Sequence, residues 1–125
     1  MKRTQMAACA WTALAAMSPA EAKPALSRVG QCLNTTITLI GPRLENAPDS
    51  GTTVGYATGF LGVSYELESA ILRRSRVGDP VRLCLASIPT HCPKGDDRGK
   101  FYRAVNLRTK AHWNLPDSEH LCGGA

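Results

Sequence analysis

Short runs of alternating apolar and polar residues recur along the chain, and turn-forming residues separate them. The first run starts at Cys32 and ends at Gly41. Within it, Leu33, Ile37 and Leu39 fall on one side of a two-residue period. Side chains that alternate in this way line one face of a β-strand, so we predict a strand here.

Residues 52–58 and 61–67 form a second pair of alternating runs. Val54 and Tyr56 alternate in the first run, and leucine, valine and tyrosine alternate in the second. Gly59 lies between the runs and supplies the backbone freedom that a tight turn needs. The pattern therefore predicts a hairpin.

Residues 81–88 carry the clearest strand pattern. Val81, Leu83 and Leu85 share one face, and Cys84 falls on the opposite face. We therefore predict a strand with one buried side.

One more hairpin is predicted before the C-terminus, from alternation in residues 101–107 and a return strand in residues 111–115. The alternating members of the first run are Phe101, Arg103, Val105 and Leu107. Residues 68–76 fit either a short helix or an irregular strand.

These five or six short strands predict a mainly β fold in a single domain. We expect a small barrel or sandwich, with an OB-like or SH3-like barrel as its specific form. The chain contains no internal repeat and no low-complexity tract.

The N-terminus has the pattern of a secretory signal peptide. Lys2 and Arg3 precede an apolar, alanine-rich stretch, which ends at an A-x-A cleavage motif at residues 20–22. The stretch is too short to span a membrane, so no transmembrane segment is predicted. We expect residues 1–22 to be removed and residues 23–125 to be exported, either to a periplasm or to the medium.

Cleavage removes Cys9 and leaves four cysteines. An even number in an oxidising compartment predicts two disulfides. We expect Cys84 to pair with Cys92 across a local loop, and Cys32 to pair with Cys122, which links the two ends of the domain.

A zinc site is the alternative reading of the cysteines, because His91 adjoins Cys92 and His120 lies near Cys122. Neither pair has the ligand spacing of compact zinc modules. We therefore predict no metal site and no cofactor.

The chain is basic, with 15 lysines and arginines against 10 acidic residues and a net charge of +5. Loss of Lys2, Arg3 and Glu21 on cleavage leaves +4. The excess favours an acidic protein, an anionic glycan or a lipid head group as partner, although it can also serve solubility alone. Export and the lack of a recognition motif argue against nucleic acid.

The densest basic cluster is the leading candidate for binding an acidic partner. Its members are Arg73, Arg74, Arg76 and Arg82. Arginine presents a planar fork that suits carboxylates and phosphates. The alternative is a solvent-facing edge whose charges block strand-to-strand aggregation.

A second candidate binding surface is the charged loop at residues 94–100. Its charged members are Lys94, Asp96, Asp97, Arg98 and Lys100. The alternative is a solvated turn whose charges pair with one another.

These features favour a small exported, non-catalytic binding module, such as an inhibitor of an extracytoplasmic enzyme. A secreted hydrolase is one alternative, and it requires Asp96, Asp97 or His120 to converge in a pocket. A structural protein of the envelope is another, and it predicts a sizeable exposed apolar patch.

Overall fold

A computed structural model describes residues 7–16 and 26–124. Residues 7–16 are exposed and contain no helix or strand. The predicted cleavage motif at residues 20–22 lies outside the described residues.

The described chain folds into six strands and one helical turn. They are β1 (Cys32–Gly41), β2 (Thr52–Tyr56), β3 (Leu61–Ser64), α1 (Ser69–Leu72), β4 (Pro80–Ser87), β5 (Phe101–Asn106) and β6 (His112–Pro116). The predicted mainly β architecture with five or six short strands is confirmed, and the number of strands is six. The ambiguous segment resolves into the single turn of α1, which buries Ile71.

All six strands form one antiparallel sheet in the order β3-β2-β1-β4-β5-β6. Each half of the sheet is a three-strand meander, and β1 pairs with β4 to join the halves. The sheet curls into a half-barrel, which brings its two edges together. A Cβ atom on Gly62 of β3 would lie 3.3 Å from Cβ of Leu115 on β6, so a small residue permits this approach.

The core fills the concave face of the curled sheet. As predicted, Val81, Leu83 and Leu85 share the buried face of β4. Nearby, the indole N–H of Trp113 donates to the Tyr56 hydroxyl at 2.8 Å. Burial raises the pKa of Tyr56 to about 12, an effect that the Trp113 hydrogen bond partly offsets. This pair gives two buried polar groups a partner inside the core.

A bulge in β1 overturns the expectation that Leu33, Ile37 and Leu39 share one face. The register with β2 shifts between Ile37 and Leu39. An inserted residue reverses the alternation. Leu39 is consequently 49% exposed, whereas Ile40 packs against the core.

In β5 the alternating pattern correctly predicts a strand. The residues that face the core, however, are those that lie between Phe101, Arg103, Val105 and Leu107. Tyr102 and Ala104 are buried there, together with the polar Asn106. Arg103 points outward and is exposed.

Candidate functional site

The two disulfides have a different connectivity from the predicted one. Cys32 is bonded to Cys84, and Cys92 is bonded to Cys122. Strands β1 and β4 are neighbours, and their register sets Cys32 directly opposite Cys84 with the Cα atoms 4.0 Å apart. The predicted pairs Cys84–Cys92 and Cys32–Cys122 are therefore wrong, because Cys84 already has a partner across the sheet.

The second disulfide joins two irregular segments. Cys92 lies in the loop between β4 and β5, and Cys122 lies in the tail after β6. Backbone hydrogen bonds hold the two segments side by side. Asp117 N donates to the carbonyl oxygen of Lys100 at 3.0 Å. Cys122 N donates to the carbonyl oxygen of Arg98 at 2.9 Å.

Arg43 anchors the tail to the loop between β1 and β2. Its Nη1 atom lies 3.2 Å from Oε1 of Glu119. Its guanidinium carbon lies 4.2 Å from the centre of the Tyr65 ring. The Tyr65 hydroxyl donates to the carbonyl oxygen of Glu119 at 3.2 Å. The tail is thus held at Glu119 as well as at its disulfide.

The charges of the loop at residues 94–100 are largely matched within the loop. Arg98 donates to both carboxylate oxygens of Asp96 at 2.9 Å. This contact, followed by the hydrogen bond from Gly123 N, holds the pKa of Asp96 well below its usual range. Lys100 lies 4.0 Å from Asp97. Only Lys94 stays outside these pairs, and it is exposed.

The three residues that a hydrolase would require, Asp96, Asp97 and His120, make separate contacts. The Asp96 carboxylate accepts hydrogen bonds from Arg98, and the Asp97 side chain is 87% exposed. His120 is exposed, and its carbonyl oxygen accepts a hydrogen bond from the Ser118 hydroxyl. In the described chain, the side chains of Asp96, Asp97 and His120 share no hydrogen bond.

The basic cluster at residues 73–76 lies in the turn from α1 to β4. This turn packs against the turn between β5 and β6, which is about 35 residues away in sequence and therefore gives no local signal of the contact. Nη2 of Arg74 donates to the carbonyl oxygen of Thr109 at 3.2 Å, and Nη2 of Arg108 donates to the carbonyl oxygen of Arg74 at 3.2 Å. Arg108 and Lys110 therefore lie beside the predicted cluster.

Asp79 holds the two turns together. Its side chain is 3% exposed, and Nε and Nη2 of Arg108 donate to its two oxygens at 2.6 and 2.8 Å. Asn106 Nδ2 donates at 2.8 Å, and the backbone N–H of Arg76 donates at 3.0 Å. A paired, fully hydrogen-bonded carboxylate is a stable buried group, whereas one that loses its partners is not.

The pKa of Asp79 is held well below its usual range. The hydrogen bonds from Arg108 are the largest cause. Burial alone would raise this pKa, and the contacts from Asn106 and the Arg76 backbone act with Arg108 against it. The carboxylate therefore remains ionised near neutral pH.

We call the cations around these two turns the arginine-rich end; they are Arg73, Arg74, Arg76, Arg108 and Lys110. Asp79 is the only acidic residue in residues 69–80 and 105–112. It is buried and already paired, so the cations dominate this end. Exposed apolar side chains lie among them, with Val77 at 60%, Leu72 at 39% and Leu107 at 38% exposure.

Arg82 was predicted to belong to this cluster, but it lies on the convex face of β4. Strand alternation puts its side chain opposite to the buried Val81 and Leu83. Arg82 is exposed and has Val105 of β5 and Asn34 of β1 as its cross-strand neighbours.

Comparison with known proteins finds no match for this chain among protein-family models, curated proteins or solved structures. Within residues 7–16 and 26–124, no group of three or more histidine, cysteine, aspartate or glutamate side chains could hold a metal ion. The same described residues include no helix long and apolar enough to cross a membrane. The two disulfides fit an oxidising environment outside the cytoplasm.

Proposed function

We propose that this chain is a small exported, non-catalytic binding module whose arginine-rich end contacts an acidic protein. One observation carries the proposal: Asp79 holds two turns together, so that cations distant in sequence present a single surface. Because the backbone of both turns is fixed before binding, less conformational entropy is lost when a partner binds.

The mixture of arginine and exposed apolar residues favours a protein as partner. Arginine is enriched at protein interfaces, where it forms forked hydrogen bonds with carboxylates. Val77 and Leu107 add apolar area among these cations. A hydrated glycan offers little for such side chains to bury, whereas a protein surface offers both carboxylates and apolar contacts.

Export is part of the proposal and rests on two features. The first is the signal-peptide pattern at residues 1–22, and the second is the pair of disulfides. Structural disulfides persist in secreted and periplasmic proteins and are rare in the cytosol.

Reversing two charges of the arginine-rich end should weaken partner binding. In Arg73→Glu/Arg76→Glu, both altered side chains are exposed, and the closest contact of the Arg76 side chain to Asp79 is 3.7 Å. The shorter hydrogen bond from Arg76 to Asp79 comes from the backbone and is retained, so the fold should persist. We expect the affinity for a protein captured from envelope extract to fall by about tenfold or more. The salt dependence of binding should also flatten, since fewer opposite charges meet.

The matched control is Arg28→Glu/Lys94→Glu, which changes the net charge equally at two other exposed positions. Titration calorimetry with the captured protein should give near wild-type affinity for this control. Equal losses in both variants would refute the proposed surface, because they would reflect net charge alone. Capture of a glycan or lipid instead of a protein would refute the partner class.

A further inference from the structure

The disulfide between Cys32 and Cys84 lies on the convex face of the sheet. Both cysteines are half-buried, and strand alternation directs Cys84 away from the buried Leu83 and Leu85. Arg103 on β5 is the residue directly opposite Cys84. Side chains in such cross-strand positions are neighbours, so a guanidinium lies beside this disulfide.

Arg82 adds a second cation to the same face. It precedes Cys84 by two residues on β4 and therefore points to the same side. Its pairing with Val105 makes it a diagonal neighbour of Arg103. Neither arginine forms an ion pair with a carboxylate of the described residues.

Among the strand residues that the structure describes, none on the convex surface around the disulfide is acidic. Its outward residues on β1, β4, β5 and β6 are Cys32, Asn34, Thr36, Arg82, Cys84, Ala86, Arg103, Val105, His112 and Asn114. The two arginines therefore give the surface beside the sulfur atoms a positive potential at low salt. Such a potential attracts an approaching anion and stabilises a thiolate that leaves the disulfide.

We propose that Cys32–Cys84 is a thiol–disulfide exchange site for small thiols that carry a carboxylate. The attacking thiolate bonds to one Sγ atom, the S–S bond breaks, and its electron pair leaves on the other cysteine as a thiolate. A second thiolate then attacks the mixed disulfide. That step releases the small-molecule disulfide and leaves the two cysteines as thiolates.

The sheet can retain its fold when this disulfide opens, because strand pairing continues on both sides of it. On one side, Leu33 pairs with Leu83. On the other side, Gly30 N donates to the Leu85 carbonyl oxygen, and Leu85 N donates to the Gln31 carbonyl oxygen, both at 2.9 Å. Leu83 and Leu85 also remain buried in the core. Exchange at this site is therefore separable from unfolding.

The experiment uses the oxidised protein with 3-mercaptopropionate and cysteamine, two thiols of similar size and opposite charge. Rates are compared at equal thiolate concentration, and each ratio of rates is divided by the ratio that the same two thiols give with a neutral small-molecule disulfide, which removes their difference in intrinsic nucleophilicity. Alkylation followed by peptide mass spectrometry follows each disulfide separately. We expect the anionic thiol to open Cys32–Cys84 about three- to tenfold faster at low salt, and the ratio to approach one at about 1 M salt. Far-UV circular dichroism should keep its β-sheet signal.

Two variants that each lose one positive charge test whether the convex face causes the preference for the anionic thiol. Arg103→Gln should at least halve the rate ratio, whereas Lys94→Gln, which removes an exposed cation from another surface, should leave it unchanged. Equal rates with both thiols, equal effects of both variants, or loss of the sheet on opening would each overturn the proposal. None of these results bears on partner binding at the arginine-rich end.

Discussion

Asp79→Ala should lower the free energy of unfolding by about 2 to 4 kcal/mol, because it leaves the buried Asn106 amide and the half-exposed Arg108 guanidinium without their acceptor. Arg108 and Asn106 lose a shared partner, and the turn from α1 to β4 loses the backbone contact at Arg76. Urea denaturation followed by tryptophan fluorescence measures the loss. A change below about 0.5 kcal/mol would contradict the structural role assigned to Asp79.

The same carboxylate should give the domain a distinct acid dependence. A group whose pKa is lower in the folded protein stabilises it above the unfolded pKa, about 3.9 for aspartate, and this stabilisation disappears as pH falls through the folded pKa. Wild-type stability should therefore drop below about pH 4. Asp79→Asn should show a shallower drop. Asp96, whose pKa is also lowered, remains in both proteins and affects them equally.

Replacing both Cys92 and Cys122 with serine should lower the free energy of unfolding by about 3 to 5 kcal/mol. The disulfide closes a loop with a sequence separation of 30, and its loss also frees the tail contacts that Glu119 makes with Arg43 and Tyr65. Denaturant unfolding measures the global loss, and hydrogen exchange locates it.

Amide hydrogen exchange distinguishes a loss of structure in the loop and tail from a loss of stability throughout the domain. Amide protection should disappear at Asp117 and Cys122, whose N–H groups bond to the loop. At Leu83 and Leu85 in the core strand β4, protection should fall only by the global loss of stability and should remain measurable. Loss of protection in β4 equal to that in the tail would contradict the view that this disulfide holds mainly the loop and tail.

Local patterns predicted most strands, but they did not predict which strands pair. The face of β4 with Val81, Leu83 and Leu85 follows from alternation alone, since every second residue shares a face. The pairing of Cys32 with Cys84 depends on the contact between β1 and β4, which lie far apart in sequence. No local signal fixes strand order, so the disulfide connectivity does not follow from the sequence pattern.

Only part of the arginine-rich end can be predicted from the sequence. Arg73, Arg74 and Arg76 stand out because they are close in sequence. Arg108 joins them only through the pairing of β4 with β5, which brings its turn to Asp79. A polar residue at a core-facing strand position can signal a buried network. Once it is known that Asn106 faces the core from β5, this polar residue indicates the buried network around Asp79.

The bulge in β1 shows a second limit of pattern reading. One inserted residue between Ile37 and Leu39 reverses every later side chain of the strand. The apolar pattern of β1 looks the same with or without the bulge. Only the pairing with β2 reveals that Ile40 packs inward.

The most direct test of the account is site-specific photo-cross-linking in envelope extract. The photoreactive residue p-benzoylphenylalanine replaces Val77 at the arginine-rich end, which is 60% exposed, or Leu44 in the loop between β1 and β2, which is 45% exposed. We expect a cross-link from position 77 to one acidic protein, absent from position 44 and lost at high salt. Identical products from both positions, or a product from position 44 alone, would contradict the claim that the arginine-rich end binds the partner.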